Sequence, residues 1–229
     1  GRITIEQALA LSLNIPAVKL LDNMGVEFFV KELVKANFAT VKKQRKGLGL
    51  SVILGGCGVT LEEMATLYSA FANYGMYSPL NFLKADSTTL KMQLITPEAA
   101  YMVTNVLTQI TRPDLPNNFR NSPHVPKIAW KTGTSYGRRD AWSIGYNRKY
   151  TIGIWVGNFS GIGVSELSGA EVATPLLFEI FNKIDYNSSQ HWYSPPPQID
   201  IRNVCSHTGD IPSNFCEDIV DDYYIQGIS

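Results

Sequence analysis

The chain has 229 residues, of which 45% are hydrophobic and 17% charged, enough to bury one ample core or a core with a small appendage. Twenty basic and twenty acidic side chains cancel to zero net charge, which argues against a broad nucleic-acid or anionic-membrane footprint. The longest apolar stretch, Leu48 to Leu61, is broken by glycines and falls short of the ~20 residues that a spanning helix needs; no signal peptide is visible.

Thr4-Ile5-Glu6-Gln7 reads as a capping box that opens a helix running to about Leu11. Ser12-Leu13-Asn14 interrupts it, and Ile15 to Leu21 forms a second helix with Pro16 placed early, where a missing amide costs little. Gly25 ends that helix. Helical spacing resumes at Val26, Phe29, Val30, Leu33 and Val34, and the run Lys42 to Lys46 is expected to be a basic, solvated loop. Gly47 to Gly58 holds five glycines among Leu, Val and Ile, a composition suited to a buried loop rather than a regular element. It lacks the Gly-Lys-Ser/Thr ending of a phosphate loop.

Thr60-Leu61-Glu62-Glu63 is a second capping box, followed by one apolar helix face at Leu61, Met64, Ala65, Tyr68, Phe71 and Ala72 that should end near Gly75. Met76 to Leu94 reads as a hairpin or loop. Thr96-Pro97-Glu98 supplies a cap, a first-turn proline and a first-turn acid for a helix to about Ile110. Arg112 to Pro126, rich in proline and asparagine, is a loop that delivers the chain to a β-prone run, Lys127 to Trp130, and then to Lys131-Thr132-Gly133-Thr134-Ser135. Asp140 to Tyr146 and Tyr150 to Gly157 follow, the latter alternating with a period of two, so antiparallel strands are expected.

Lys131 and Gly133 then point to one side of the first strand, Thr132 and Thr134 to the other. A cation, two hydroxyls and a position without a side chain, beside exposed backbone, can hold an anionic peptide end lying along the strand. Asn158 to Gly169 is Gly/Ser-rich and expected to be flexible, and Ala170 to Ile184 is a closing helix interrupted early by Pro175. Ser194-Pro195-Pro196-Pro197 stiffens the chain into a linker, which divides it into residues 1–193 and a tail of residues 194–229. Cys205 and Cys216 are read as a disulfide, favouring an oxidising compartment; the alternatives are free thiols or a zinc site with His207, whose spacing fits no common zinc pattern. His124, His191 and His207 are expected at the surface, Asp140 in a buried ion pair or cap, and Trp142 in the core.

Ser12-Leu13-Asn14 between two helices, with Lys131-Thr132-Gly133 on a distant strand, resembles two of the three motifs of the serine acyltransferases that bind β-lactams. Arg139-Asp140-Ala141-Trp142 and Ile154-Trp155-Val156-Gly157 extend the likeness to the transpeptidase domain of class A penicillin-binding proteins. Ala173 to Phe178, the proline linker and Val204-Cys205 carry it over nearly the whole chain.

The resemblance implies an α/β (α+β) fold of the β-lactamase/transpeptidase type, an antiparallel sheet with helices on both faces. It implies peptidoglycan D,D-transpeptidation, with Ser12 in a proton relay and Asn14 holding a lysine and the substrate amide. Lys131 would supply positive potential near Ser12 and the substrate carboxylate, which the Thr132 and Thr134 hydroxyls would bind. Gly133 would admit the substrate, and the Thr134 amide would form half of an oxyanion hole. The implied partners are a stem peptide ending in D-alanyl-D-alanine, β-lactam antibiotics and other cell-wall synthesis proteins, with no cofactor. The implied location is extracytoplasmic, in a membrane-anchored parent that also carries a glycosyltransferase.

One departure matters. The family nucleophile lies in a Ser-x-x-Lys motif, and no serine here has lysine three residues later: Ser12 is followed by Ile15, Ser51 by Leu54 and Ser135 by Arg138. The expectation is therefore a chain truncated after its nucleophile, unable to acylate alone, with apolar surface left bare where the nucleophile's helix would pack. The alternatives are a D,D-carboxypeptidase, for which the motifs are the same, and a non-catalytic peptide-binding or scaffold domain. Ser12 and Asn14 as mere helix caps, and Thr132 and Thr134 as ordinary strand residues, are the structural alternatives.

Overall fold

The computed structural model describes residues 3–83, 90–110 and 125–228. His124 and most of the Arg112 to Pro126 loop fall outside that set, as does the middle of the Met76 to Leu94 segment.

Three helices open the chain: α1 (Ile5–Ala10), α2 (Asn14–Met24) and α3 (Val26–Lys35). The Thr4 hydroxyl accepts from the Gln7 amide at 3.0 Å, the first half of the expected capping box. Gly25, at φ 90°, ends α2 and admits α3. The basic run is not a loop. Ala39–Gln44 form α4 and Arg45–Gly47 a 3-10 turn, because Val41 is fully buried and anchors the segment while the cations stay exposed. Residues 47–58 also depart from expectation: Leu50–Leu54 make a 3-10 turn, with Val52 alone buried and Leu50 and Leu54 exposed. Gly55 takes a left-handed turn at φ 88°, while the close approach expected of the glycines is found at Gly56, where a Cβ would lie 2.5 Å from the Ser51 hydroxyl oxygen.

Helix α5 (Leu61–Ala72) carries the complete capping box between Thr60 and Glu63. It is apolar on two faces rather than one. Tyr68, Phe71 and Ala72 pack on the cluster around the sheet, whereas Met64, Leu67 and Ala70 join a second cluster with Val30, Phe38 and Val41. This helix therefore ties the helical N-terminal half to the sheet. After it, Gly75 (φ 81°) turns the chain so tightly that a Cβ would lie 1.8 Å from the Ile95 carbonyl oxygen. That turn sets the short hairpin of β1 (Met76–Tyr77) and β2 (Met92–Gln93). Thr96 and Pro97 start α6 (Pro97–Leu107) as the sequence predicts.

The main sheet is β3 (Ala129–Thr134), β4 (Asp140–Tyr146) and β5 (Thr151–Gly157), antiparallel and in that order. Its two faces are decided by the pleat. On one, Trp130 meets Phe178 edge-on, and Gly145 leaves room for Leu177 of α7 (Thr174–Asp185). On the other, Gly153 leaves room for Leu61 and Ala65 of α5, and the Tyr146 hydroxyl lies 2.9 Å from Thr104 of α6. Helices thus cover both faces. Asp185 pins α7 to the β4–β5 turn: it accepts from Asn147 at 2.9 Å and from Lys149 at 3.0 Å. The tail forms a hairpin of β6 (Ile199–Cys205) and β7 (Ile219–Ile225), with Cys205 bonded to Cys216. Tyr223 of this hairpin contacts Tyr101 of α6 edge-on.

Candidate active site

Strand β3 pairs with β4 along one edge; among the described residues its other edge has no strand partner. That free edge is where Lys131, Thr132, Gly133 and Thr134 lie.

Ser12 is brought there by a helix ending. Its amide donates to Leu9 and the Leu13 amide donates to Ala8, at 3.1 and 2.9 Å, the paired bonds of a Schellman motif. Ser12 occupies the left-handed position of that motif, at φ 55°. Glycine or asparagine is usual there, since a Cβ costs roughly 1–2 kcal/mol. A serine in a strained conformation is a reason to look for work done by its hydroxyl. Ser12 is thus part of the C-terminal cap of α1 and not the N-cap of α2, a position held by Leu13 without a side-chain cap bond.

The hydroxyl meets Lys131. The Lys131 ammonium donates to Ser12 Oγ and to the Thr132 carbonyl, the latter at 3.2 Å. Burial lowers the Lys131 pKa, and no carboxylate pairs with the ammonium among the described residues. An uncompensated, partly desolvated ammonium projects positive potential over the strand edge. Because Lys131 fills the acceptor side of Ser12, the serine hydrogen stays free to be donated.

The remaining predicted residues divide. Gly133 has ordinary φ, and a Cβ there would lie 3.5 Å from Cβ of Trp142, an ordinary contact. Nothing inside the sheet requires glycine at that position. Thr134 Oγ1 accepts from the Gly169 amide at 3.0 Å, on the α7 side, while the Thr132 hydroxyl has no bonding partner among the described residues. Asn14 stands exposed in the first turn of α2, one residue beyond the N-cap. Ser12 and Lys131 are therefore in contact, Thr132 and Thr134 flank the same strand, and among the described residues Asn14 makes no hydrogen bond to any of them. Sequence reasoning missed Gly169, whose partner is 35 residues away with no local spacing to betray it.

The turn after β3 is fixed by Ser135, whose hydroxyl accepts from the amides of Arg139 (3.2 Å) and Asp140 (2.8 Å). Among the described residues Asp140 makes no ion pair; its carboxylate accepts from the Trp155 indole at 3.0 Å, and Trp142, half-buried, rests edge-on to Trp155. His191 and His207 are exposed. Among the described residues no three His, Cys, Asp or Glu side chains gather as a metal site, and no helix is long and apolar enough to cross a membrane.

Comparison with known proteins gives this arrangement a context. Residues 1–163 match the family model described as the penicillin binding protein transpeptidase domain. The chain is 37% identical over 209 residues to penicillin-binding protein 1C of Escherichia coli K12, covering 91% of this chain and 27% of that protein. It is 30% identical over 178 residues to penicillin-binding protein 4 of Bacillus subtilis 168, covering 73% of this chain and 28% of that protein. The chain thus spans little more than a quarter of these curated relatives. Its fold matches the crystal structure of penicillin-binding protein 1A from Haemophilus influenzae with a TM-score of 0.79 at 19% identity, over 98% of this chain and 40% of that one. The PonA1 protein from Mycobacterium tuberculosis in complex with penicillin V matches at TM-score 0.70 and 21% identity, over 86% of this chain and 60% of that one.

Proposed function

This chain belongs to the family of penicillin-binding protein transpeptidase domains, and on that footing we propose that it is the part of a peptidoglycan D,D-transpeptidase that binds the donor peptide. The observation that carries the reading is the hydrogen bond from Lys131 to Ser12, which joins a helical junction to a strand edge across 119 residues. In acyl transfer a serine hydroxyl attacks the carbonyl of the penultimate D-alanine. That hydroxyl must lose a proton, and the departing D-alanine amine must gain one. Ser12, hydrogen-bonded to an ammonium of lowered pKa, is suited to hand a proton to the leaving amine and to draw its own replacement through Lys131. Asn14 holds the nucleophile's lysine and the substrate amide. The substrate carboxylate sits against the Thr132 and Thr134 hydroxyls under the potential of Lys131, its backbone close to Gly133, and the Thr134 amide supplies an oxyanion donor worth about 3–4 kcal/mol of barrier.

The nucleophile comes from a Ser-x-x-Lys segment, which these 229 residues do not contain. We place that segment on the bare apolar face of α1 to α3, where Ile5, Leu11, Ile15, Leu20 and Phe28 are all more than half exposed. The protein acts outside the cytoplasm on stem peptides ending in D-alanyl-D-alanine and is acylated by β-lactams, in a membrane-anchored parent. The proline linker from residue 194 leads into the β6–β7 hairpin, which is separate from the transpeptidase part. A second reading, a domain that binds wall peptides without catalysis, uses the same pocket of Ser12, Lys131 and Thr134.

Labelling with a fluorescent penicillin tests the assignment. The 229-residue chain should take no covalent label, and a label on it would place the nucleophile inside this sequence. In a longer protein that supplies Ser-x-x-Lys, labelling should be strong and should fall sharply in the Ser12→Ala/Lys131→Ala double variant; unchanged labelling would refute the relay. A longer protein with no Ser-x-x-Lys and no label would support the binding module.

A further inference from the structure

The free edge of β3 is backed by a polar chain that the function as described does not use. Before α7 the backbone makes a single π-type turn, Gly169–Ala173, closed by the Thr174 amide donating to the Gly169 carbonyl. Such turns are rare and concentrate at functional sites. The Thr174 hydroxyl donates to the same carbonyl at 3.0 Å, so its own oxygen is open to a donor, and Ser143 of β4, 3.1 Å away, is that donor. Ser143 and Thr174 are both fully buried. A buried pair of hydroxyls with every hydrogen committed has one arrangement.

The chain ends on the substrate side. The Gly169 amide donates to Thr134 Oγ1 at 3.0 Å, which fills an acceptor position of Thr134 and leaves its hydrogen free to donate. An anion is bound by donors, so this is the rotor state a carboxylate needs. The approach of Gly169 to the sheet is equally constrained: a Cβ there would lie 2.5 Å from the carbonyl oxygens of both Gly133 and Trp142. Only glycine brings an amide so near Thr134.

We propose that Thr174, acting through Gly169 and held by Ser143, is a positioning residue that fixes the Thr134 hydroxyl as a donor to the C-terminal carboxylate of the bound peptide. This inference rests on the proposed function above. Its test uses the 229-residue chain, labelled with 15N, and two peptides that end in D-alanyl-D-alanine, one as the free acid and one as the C-terminal amide.

The unaltered chain should bind the acid more tightly than the amide. Thr174→Val, which keeps shape and loses the hydroxyl, should cut that acid-over-amide preference about tenfold, in line with one misplaced hydrogen bond to a charged group. It should also shift the Gly169 amide resonance and speed its hydrogen exchange, while Thr174→Ser restores all three. A preference unchanged in Thr174→Val with Gly169 undisturbed would overturn the inference. If the unaltered chain shows no acid preference, it is the proposed function that fails. Should Thr174→Val not fold, Ser143→Ala breaks the chain at its far end, and a wild-type acid preference in that variant would likewise overturn the inference.

Discussion

Replacing Ser12 by glycine and, separately, by alanine isolates the backbone strain at the proposed relay serine. Both changes remove the hydroxyl and its bond to Lys131, so that loss cancels in the comparison. They differ in the cost of φ 55°. A Cβ in the left-handed region costs roughly 1–2 kcal/mol, and glycine gives back roughly 0.5–1 kcal/mol through the greater freedom of its unfolded state. Ser12→Gly should therefore be more stable than Ser12→Ala by about 0.75 kcal/mol at the centre of these ranges. For a chain of this size, where 1 kcal/mol moves Tm by about 2–4 °C, the gap in thermal denaturation is about 1.5–3 °C. Denaturant titration of the two variants under identical conditions gives the same quantity without heating. Equal stability, or alanine above glycine, would show that Ser12 does not sit in the left-handed position of a helix-ending motif. The geometry that presents its hydroxyl to Lys131 would fall with it.

Asp185→Ala should lower Tm by about 4–12 °C, equivalent to about 2–3 kcal/mol, because Asn147, 2% exposed, is left with a buried, unpaired amide. Lys149→Met should cost under ~1 kcal/mol, since the lysine side chain is 47% exposed and its ion pair is screened; equal losses from the two variants would count against this account of the β4–β5 turn. Burial lowers the Lys131 pKa from its ordinary 10.5, so between the folded value and 10.5 the unfolded chain binds more protons and stability rises with pH. The stability of Lys131→Met relative to the unaltered chain should thus be most favourable near neutral pH and decline as the pH approaches 10.5; a difference that does not vary with pH would contradict the buried, charged lysine.

Most helices and all three strands of the main sheet were legible because their signals are short-range. The capping chemistry at Thr60 and Thr96 and the period of two at Ile152, Ile154 and Val156 act within a turn or a pleat. Where the reading failed, tertiary burial prevailed over composition. Lys42 to Lys46 looked like a loop by charge, yet the packing of Val41 holds the segment helical. The α5 stripe read as one face became two, because a helix between two clusters is apolar on both sides and a single spacing pattern cannot assign Met64.

For the candidate site, the sequence by itself supplied the residue types: a serine and an asparagine at a helical junction, and an ammonium with two hydroxyls and a glycine along one strand. It also supplied the alternation that puts Lys131 and Thr134 on opposite sides of β3. Only the tertiary structure decided that Ser12 meets Lys131, that Thr134 is engaged from behind by Gly169, and that Asn14, among the described residues, bonds to neither. The reason is separation. Caps and pleats are set by neighbours a few residues away, whereas contacts across 119 and 35 residues exist only once α1, α7 and the sheet have packed together and their buried surfaces have fixed where each hydroxyl points.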